Sequence, residues 1–204
     1  MGNRHRKRRG QQRGTGSPNP EKDRDVHERK RGVKKMTIQD LAEELPTGDD
    51  LESYSKFVVA ESDRGAAIMA AALVEKALEE VIRSYLGDPG GGVQDTWFKG
   101  ALAPFRTFSA KIALGRGLAI YGEHMEARLT IIRNVRNAFA HRMIPLDFTH
   151  PTLVEECIKL APDPEKHRDT SRKWIFASSC MSVAHVLGVH ATERGGKELE
   201  VQFP

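Results

Sequence analysis

Cysteine is scarce in this chain of 204 residues: there are two, Cys157 and Cys180, and neither belongs to a CxxC pair or a Cys/His metal spacing. That excludes a disulfide scaffold and a structural zinc site, points to a reducing compartment, and leaves both thiols as small core residues. Long hydrophobic runs are missing too. The longest apolar stretch, Ala66–Val74, is far too short to span a bilayer, and the arginine-rich N-terminus has no apolar segment behind it, so a soluble, cytoplasmic protein with no membrane contact is expected. Strand signals are equally sparse. No run alternates with period two, and no Asn-Gly or Asp-Gly turn joins β-branched segments, so the expected class is all-α. The glycines at Gly90–Gly92 and in Gly115–Gly117 lack the Lys-Ser/Thr and the preceding strand of a phosphate-binding loop, and both read as plain loops.

What is abundant is charge, unevenly placed. Residues 1–36 hold 13 Lys+Arg against 4 Asp+Glu, whereas the rest of the chain is net acidic, so the overall +4 and the pI near 9.1 are properties of the tail. With almost nothing apolar to bury, residues 1–36 are expected to be a disordered basic tail. Arg4, Arg6, Lys7, Arg8, Arg9 and Arg13 suit phosphate contacts made by counterion release; the alternative is a solubilising tail. No aromatic interleaves these arginines, so base stacking is not on offer and any nucleic-acid binding would be weak and non-specific.

After the tail, a helical domain is expected over residues 37–194, with 195–204 a ragged end. Thr37 and Asp40 resemble a capping box for a short helix that Pro46 and Gly48 terminate. Asp50 suits the cap of a second helix, carrying Tyr54, Phe57 and Val58. Ile68, Val74, Ala77, Leu78, Val81, Ile82 and Tyr85 trace the stripe of a long amphipathic helix whose first half is alanine-rich, with Glu79 and Arg83 paired on the other side. Phe105 to Leu114 predicts a further helix with Pro104 near its start. Thr149–Leu160 predicts one capped by Thr149, and Asp169 or Thr170 should cap a last helix with Trp174, Ala177, Met181, Ala184 and Leu187 inward. Short Gly/Pro connections imply a compact single-domain bundle in which 62–86 and 122–142 form the central pair.

Reactive side chains recur at helical spacing only in Leu129–His141, LTIIRNVRNAFAH. At about 100° per residue, Arg133, Asn137 and His141 form one line, with Ile131, Ile132, Val135, Ala138 and Phe139 opposite. Arg136 falls at the edge of the apolar face and requires a carboxylate partner, because an unpaired buried charge is costly. Glu61 and Asp63 of ESDRG are the candidates, and Asp63 is the choice. With Arg64, these residues make up the expected binding or structural network. No metal and no cofactor is expected.

The segments ESDRGAAIMAAALVEKALEEVIRSYL, ALAPFRTFSAKIALGRGL and IIRNVRNAFAH, in this order and spacing, resemble the mannitol operon repressor (MtlR-like) family over roughly residues 50–160. The resemblance implies a compact all-helical transcriptional regulator without a recognisable helix-turn-helix. Arg136, Asn137 and His141 are also similar to the motif of HEPN-type helical ribonucleases, whose arginine, polar residue and histidine meet across a dimer interface. A histidine near neutral pKa can move the proton of a ribose hydroxyl while an arginine stabilises the phosphate without metal. An i, i+5 pair lies about 140° apart on one helix, so this use demands a second chain. The preferred reading is a non-enzymatic regulatory protein in which Asn137 and His141 cap or cross-link helices. Its expected partners are another protein, nucleic acid through the tail, or a second copy; the alternative is a metal-independent ribonuclease using Arg136 and His141 across a dimer.

Overall fold

Two hydroxyls mark where the first long helix and the middle of the chain begin to coil. Ser62 Oγ accepts the Gly65 N–H at 3.1 Å, and Thr107 Oγ1 accepts the Ala110 N–H at 3.2 Å, each satisfying a donor that the first turn of a helix leaves open. The computed structural model describes Pro46 and residues 49–193. The basic tail, the short helix expected from Thr37 and the chain beyond 193 lie outside the described residues. Seven helices occupy the described part: α1 (Asp49–Ala60), α2 (Asp63–Leu86), α3 (Val93–Phe98), α4 (Phe108–Gly117), α5 (Glu123–His141), α6 (Pro151–Ile158) and α7 (Arg172–Glu193). No strand occurs among the described residues, and the class is all-α as expected.

The dominant helix pair is α2 with α7, not α2 with α5 as expected from the sequence. Ala66, Ala67, Ala70 and Ala71 are all buried, and a face without bulky side chains lets a neighbouring helix approach closely. The two helices run parallel. At their starts Lys173 meets Asp63 at 3.6 Å, and at their ends Tyr85 Oη lies 2.6 Å from His190 Nε2. α7 is long and apolar enough, by length and composition, to cross a membrane, but just over half of its most apolar stretch is buried against the bundle, as in a core helix. Helix α5 lies antiparallel against α2 and buries Met125, Leu129, Ile132, Val135 and Phe139. Phe139, Phe148 and Phe176 then pack in series as tilted rings, with centroids 4.8 and 5.6 Å apart, and tie α5 to α7 through the 142–150 loop.

Several element boundaries differ from the sequence reading. α4 begins at Phe108 behind Thr107, leaving Pro104 in the preceding turn, and α6 begins at Pro151, because Thr149 is engaged by Asp147 instead. α7 starts at Arg172, beyond Asp169 and Thr170, and its Trp174 is 47% exposed rather than inward. Phe57 is also exposed, at 53%. Gly90–Gly92 do form a loop, with φ of +81°, +62° and +73°. Gly115, by contrast, is helical and buried: a Cβ there would lie 2.7 Å from both Cε1 and Oη of Tyr121.

Tyr121 cannot yield that space, since its ring is fully buried and its hydroxyl donates to the Ile112 carbonyl at 2.7 Å. Gly115→Ala is therefore expected to cost about 1–3 kcal/mol by overpacking. Gly117→Ala, where a Cβ meets nothing within 4 Å, is expected to leave thermal unfolding unchanged or raise the midpoint. Equal effects of the two substitutions on the melting midpoint would refute this packing.

The far end of the α2–α7 seam makes stability pH-dependent. Burial pushes the His190 imidazole below its ordinary value and outweighs the opposing charge of Glu193. The folded state thus disfavours the protonated ring, the unfolded chain binds more protons, and stability rises with pH through that window. The contribution is complete above about pH 6.5, the ordinary histidine value, and is lost as pH falls toward the lower folded value. Urea unfolding midpoints are expected to drop on acidification across this range in the natural protein and to drop less in His190→Gln.

Candidate functional site

Arg136 does find a carboxylate, and it is Glu75. Its Nη2 lies 3.9 Å from Glu75 Oε2 on α2, and its Nη1 donates to Asn137 Oδ1 at 3.0 Å. Asp63, the partner expected from the sequence, is taken: it accepts the Phe148 N–H at 2.9 Å and pairs with Lys173. Register explains the difference. With α5 antiparallel to α2, the chain passes Asp63 only after α5 has ended, in the 142–150 loop, while Arg136 meets α2 near its middle. The Arg136 side chain is also 37% exposed, so it sits at the rim of the apolar face rather than inside it.

Glu75 belongs to a larger array that periodicity did not disclose. Glu75, Glu79 and Arg83 follow one another at i, i+4, i+8 along α2, and Lys111 of α4 enters between the two carboxylates, 3.0 Å from Glu75 and 2.9 Å from Glu79. Arg83 binds Glu79 at 2.8 Å and Asp95 at 3.0 Å while its guanidinium lies 4.4 Å above the Phe98 ring. Lys111 is only 5% exposed and Glu79 8%. Burial alone would raise the Glu79 carboxyl, but the hydrogen bonds and charges of Lys111 and Arg83 outweigh it and hold it below the ordinary carboxylate range. The Glu79–Arg83 pair expected on the outer side is thus the inner part of a buried ion cluster. One signal was available: Lys111 lies between Phe108 and Ile112, a cation inside an apolar helical stripe.

Glu61, Asp63 and Arg64 form a second group around the start of α2. Lys173 Nζ donates to the Glu61 carbonyl as well as pairing with Asp63. Arg64 Nη2 donates to the Arg142 carbonyl at 2.6 Å, directly after the last turn of α5. Arg133 donates to the neighbouring Asn134 at 3.0 Å, and His141 is exposed at the end of α5. The residues grouped as one network by sequence are therefore divided: Arg136 and Asn137 lie at the ion cluster, Glu61, Asp63 and Arg64 at the start of α2, and Arg133 and His141 in neither.

Among the described residues no group of three His, Cys, Asp or Glu side chains could hold a metal ion. The thiols are not poised for chemistry either, since burial pushes Cys157 up to about 12 and Cys180 well above its ordinary value. Nothing matches the chain in comparisons with protein-family models, with curated proteins or with solved structures.

The cluster has a direct energetic consequence. Lys111→Met takes from Glu75 and Glu79 the cation between them, leaving Glu79 with Arg83 and Glu75 with the more distant Arg136, and is expected to cost about 3 kcal/mol, the lower end for breaking a buried pair, read as a lower denaturant midpoint. Lys56→Met removes a pair whose side chains are 75% and 77% exposed, and is expected to change stability by less than about 1 kcal/mol. A Lys111 variant as stable as the Lys56 variant would show that the cluster contributes nothing.

Proposed function

We propose that the protein is a non-enzymatic regulatory protein of the kind its motifs resemble, the MtlR-like transcriptional regulators, acting in the cytoplasm through protein or nucleic-acid contacts without a helix-turn-helix. One observation carries this reading. The three segments behind the resemblance each send a charged residue to the same place: Glu75 and Glu79 from the alanine-rich helix, Lys111 from FSAKI and Arg136 from the RNAFAH helix. Their charges are spent on one another, in contacts that fix how α2, α4 and α5 pack. A motif of this sort specifies a scaffold, and function then resides in what the scaffold presents. The basic tail is the natural contact to nucleic acid, and its binding should weaken steeply with salt.

A second reading, the HEPN-type ribonuclease, is favoured by the exposure of His141 together with that of Arg136. Met143 and Ile144, 97% and 59% exposed, follow immediately and offer an apolar rim on which a second copy could bring its own pair opposite. Against it, Asn137 Oδ1 already accepts from Arg136, and Arg136 already faces Glu75.

Purified protein incubated with single-stranded and structured RNA is expected to leave both intact, and His141→Ala to leave that result unchanged. Cleavage that is lost in both Arg136→Ala and His141→Ala, with melting curves preserved, would replace the regulatory reading by the ribonuclease one.

A further inference from the structure

Three large apolar side chains stand exposed where the start of α2 meets the end of α5. Met143 and Ile144, 97% and 59% exposed, follow directly on Arg142, whose carbonyl accepts from Arg64 Nη2 of α2 at 2.6 Å. Ile68, 37% exposed, lies four residues beyond Arg64 and seven before Glu75, and such spacings share one side of a helix. Glu75 in turn faces Arg136 of α5. The antiparallel pair therefore brings Ile68 beside the last turns of α5, between the contacts made at Arg142 and Arg136. Ala72 and Ala140, both exposed, add no bulk to these helix faces, so a third helix could approach closely. A lone exposed apolar side chain needs no explanation, whereas several brought together and rimmed by charge mark an interaction surface.

The charge at this rim is of one sign. Among the described residues neither Arg64 nor Arg133 has a carboxylate partner: one donates to the Arg142 carbonyl and the other to Asn134 at 3.0 Å. Arg136 between them shares Glu75 with Lys111, which is the closer at 3.0 Å. Beyond residue 36 the chain is net acidic, so the cationic rim is local to this face. A second copy would set the same arginines against each other, because a two-fold interface presents one patch to itself, and like charges oppose that pairing. Phosphates of a nucleic acid would meet the arginines but offer Met143 and Ile144 nothing to be buried against. We propose that this face docks an acidic amphipathic helix of a partner protein, its apolar stripe on Ile68, Met143 and Ile144 and its flanking carboxylates on Arg64 and Arg133. Methionine and arginine are enriched in protein interfaces, and a helix laid by its apolar side onto another protein is a recurring mode of recognition. The inference rests on the regulatory reading, whose protein contact it locates; RNA cleavage would end that reading, while loss of peptide selectivity ends this one.

Fluorescence anisotropy of a labelled synthetic helix with the full-length protein tests it. The probe carries leucines at i, i+4 and i+7 with glutamates on both sides of that stripe. One companion has glutamine in place of glutamate, and another has the same residues in scrambled order. The acidic amphipathic peptide is expected to bind saturably, and both companions at least about tenfold more weakly. Scrambling keeps the charge that the basic tail attracts and removes the stripe, so it separates this face from the tail. Met143→Asp, at a position that bears on no packing, is expected to weaken binding at least about tenfold with the melting midpoint unchanged, and Arg133→Glu to do the same. Lys56→Glu, at a 75% exposed side chain of α1, is expected to leave binding as it was. No saturable binding, equal affinity for the scrambled peptide, or unchanged binding in Met143→Asp would each overturn the proposal. Binding of labelled single-stranded RNA that Met143→Asp and Arg133→Glu both abolish would assign the face to nucleic acid and overturn it as well.

Discussion

The parallel seam between α2 and α7 is the constraint on which the other contacts rest. Along it α2 buries Ala66, Ala67, Ala70 and Ala71 and α7 buries Ile175, Phe176, Cys180 and Val183, and the absence of bulk on α2 permits close approach. Its ends are polar locks: Lys173 on Asp63 and the Glu61 carbonyl at one, Tyr85 with His190 at the other. With the axis of α2 so fixed, its remaining faces have set orientations. One receives α5 and α4 and the other carries α1, whose Tyr54 hydroxyl donates to the Met69 carbonyl at 3.1 Å.

From that geometry follows the cost and the use of the buried charges. Glu75 and Glu79 sit where α4 must pass, and an apolar residue at position 111 would leave both without Lys111. Buried ion pairs of this type add little net stability over apolar packing, but a register that parted Lys111 from the two carboxylates would leave buried charge unpaired, which is strongly destabilising. That is a reason for a helical bundle of modest aromatic content to carry them. The same logic separates the two arginines that the sequence places on α5. Arg133 lies on the solvent side beside Asn134, and Arg136 is drawn to the rim of the cluster. Neither needs a substrate to account for its position.

Much of the fold was legible in the sequence because it depends on local periodicity and punctuation. The stripe from Val74 to Tyr85, the stop at Gly87 and the apolar face of Val135 and Phe139 follow from spacing alone and recur in α2 and α5, whereas Ile68, expected at the start of that stripe, is 37% exposed. What was not legible depends on register between helices. The choice between Asp63 and Glu75 for Arg136 turns on how far two antiparallel helices slide, which no single-helix pattern encodes. The primacy of α7 was hidden for a related reason: it is apolar over so broad a face, from Ile175 to His190, that its sequence shows little contrast between an inside and an outside. Trp174 was placed inward by that weak contrast and lies at the mouth of a cavity instead. Gly115 read as a loop residue because glycine punctuates, yet it is retained by the ring of Tyr121.

The central claim is that the charged residues of the motif segments act on one another. A double-mutant cycle between Lys111→Met and Glu79→Gln, read as unfolding free energies from denaturant titration, tests it most directly. Residues in contact within one ion network are expected to show a coupling energy above about 1 kcal/mol, with the double variant more stable than the sum of the single losses allows. Additivity within about 0.5 kcal/mol would contradict the claim and free Lys111 and its neighbours for a role outside the fold.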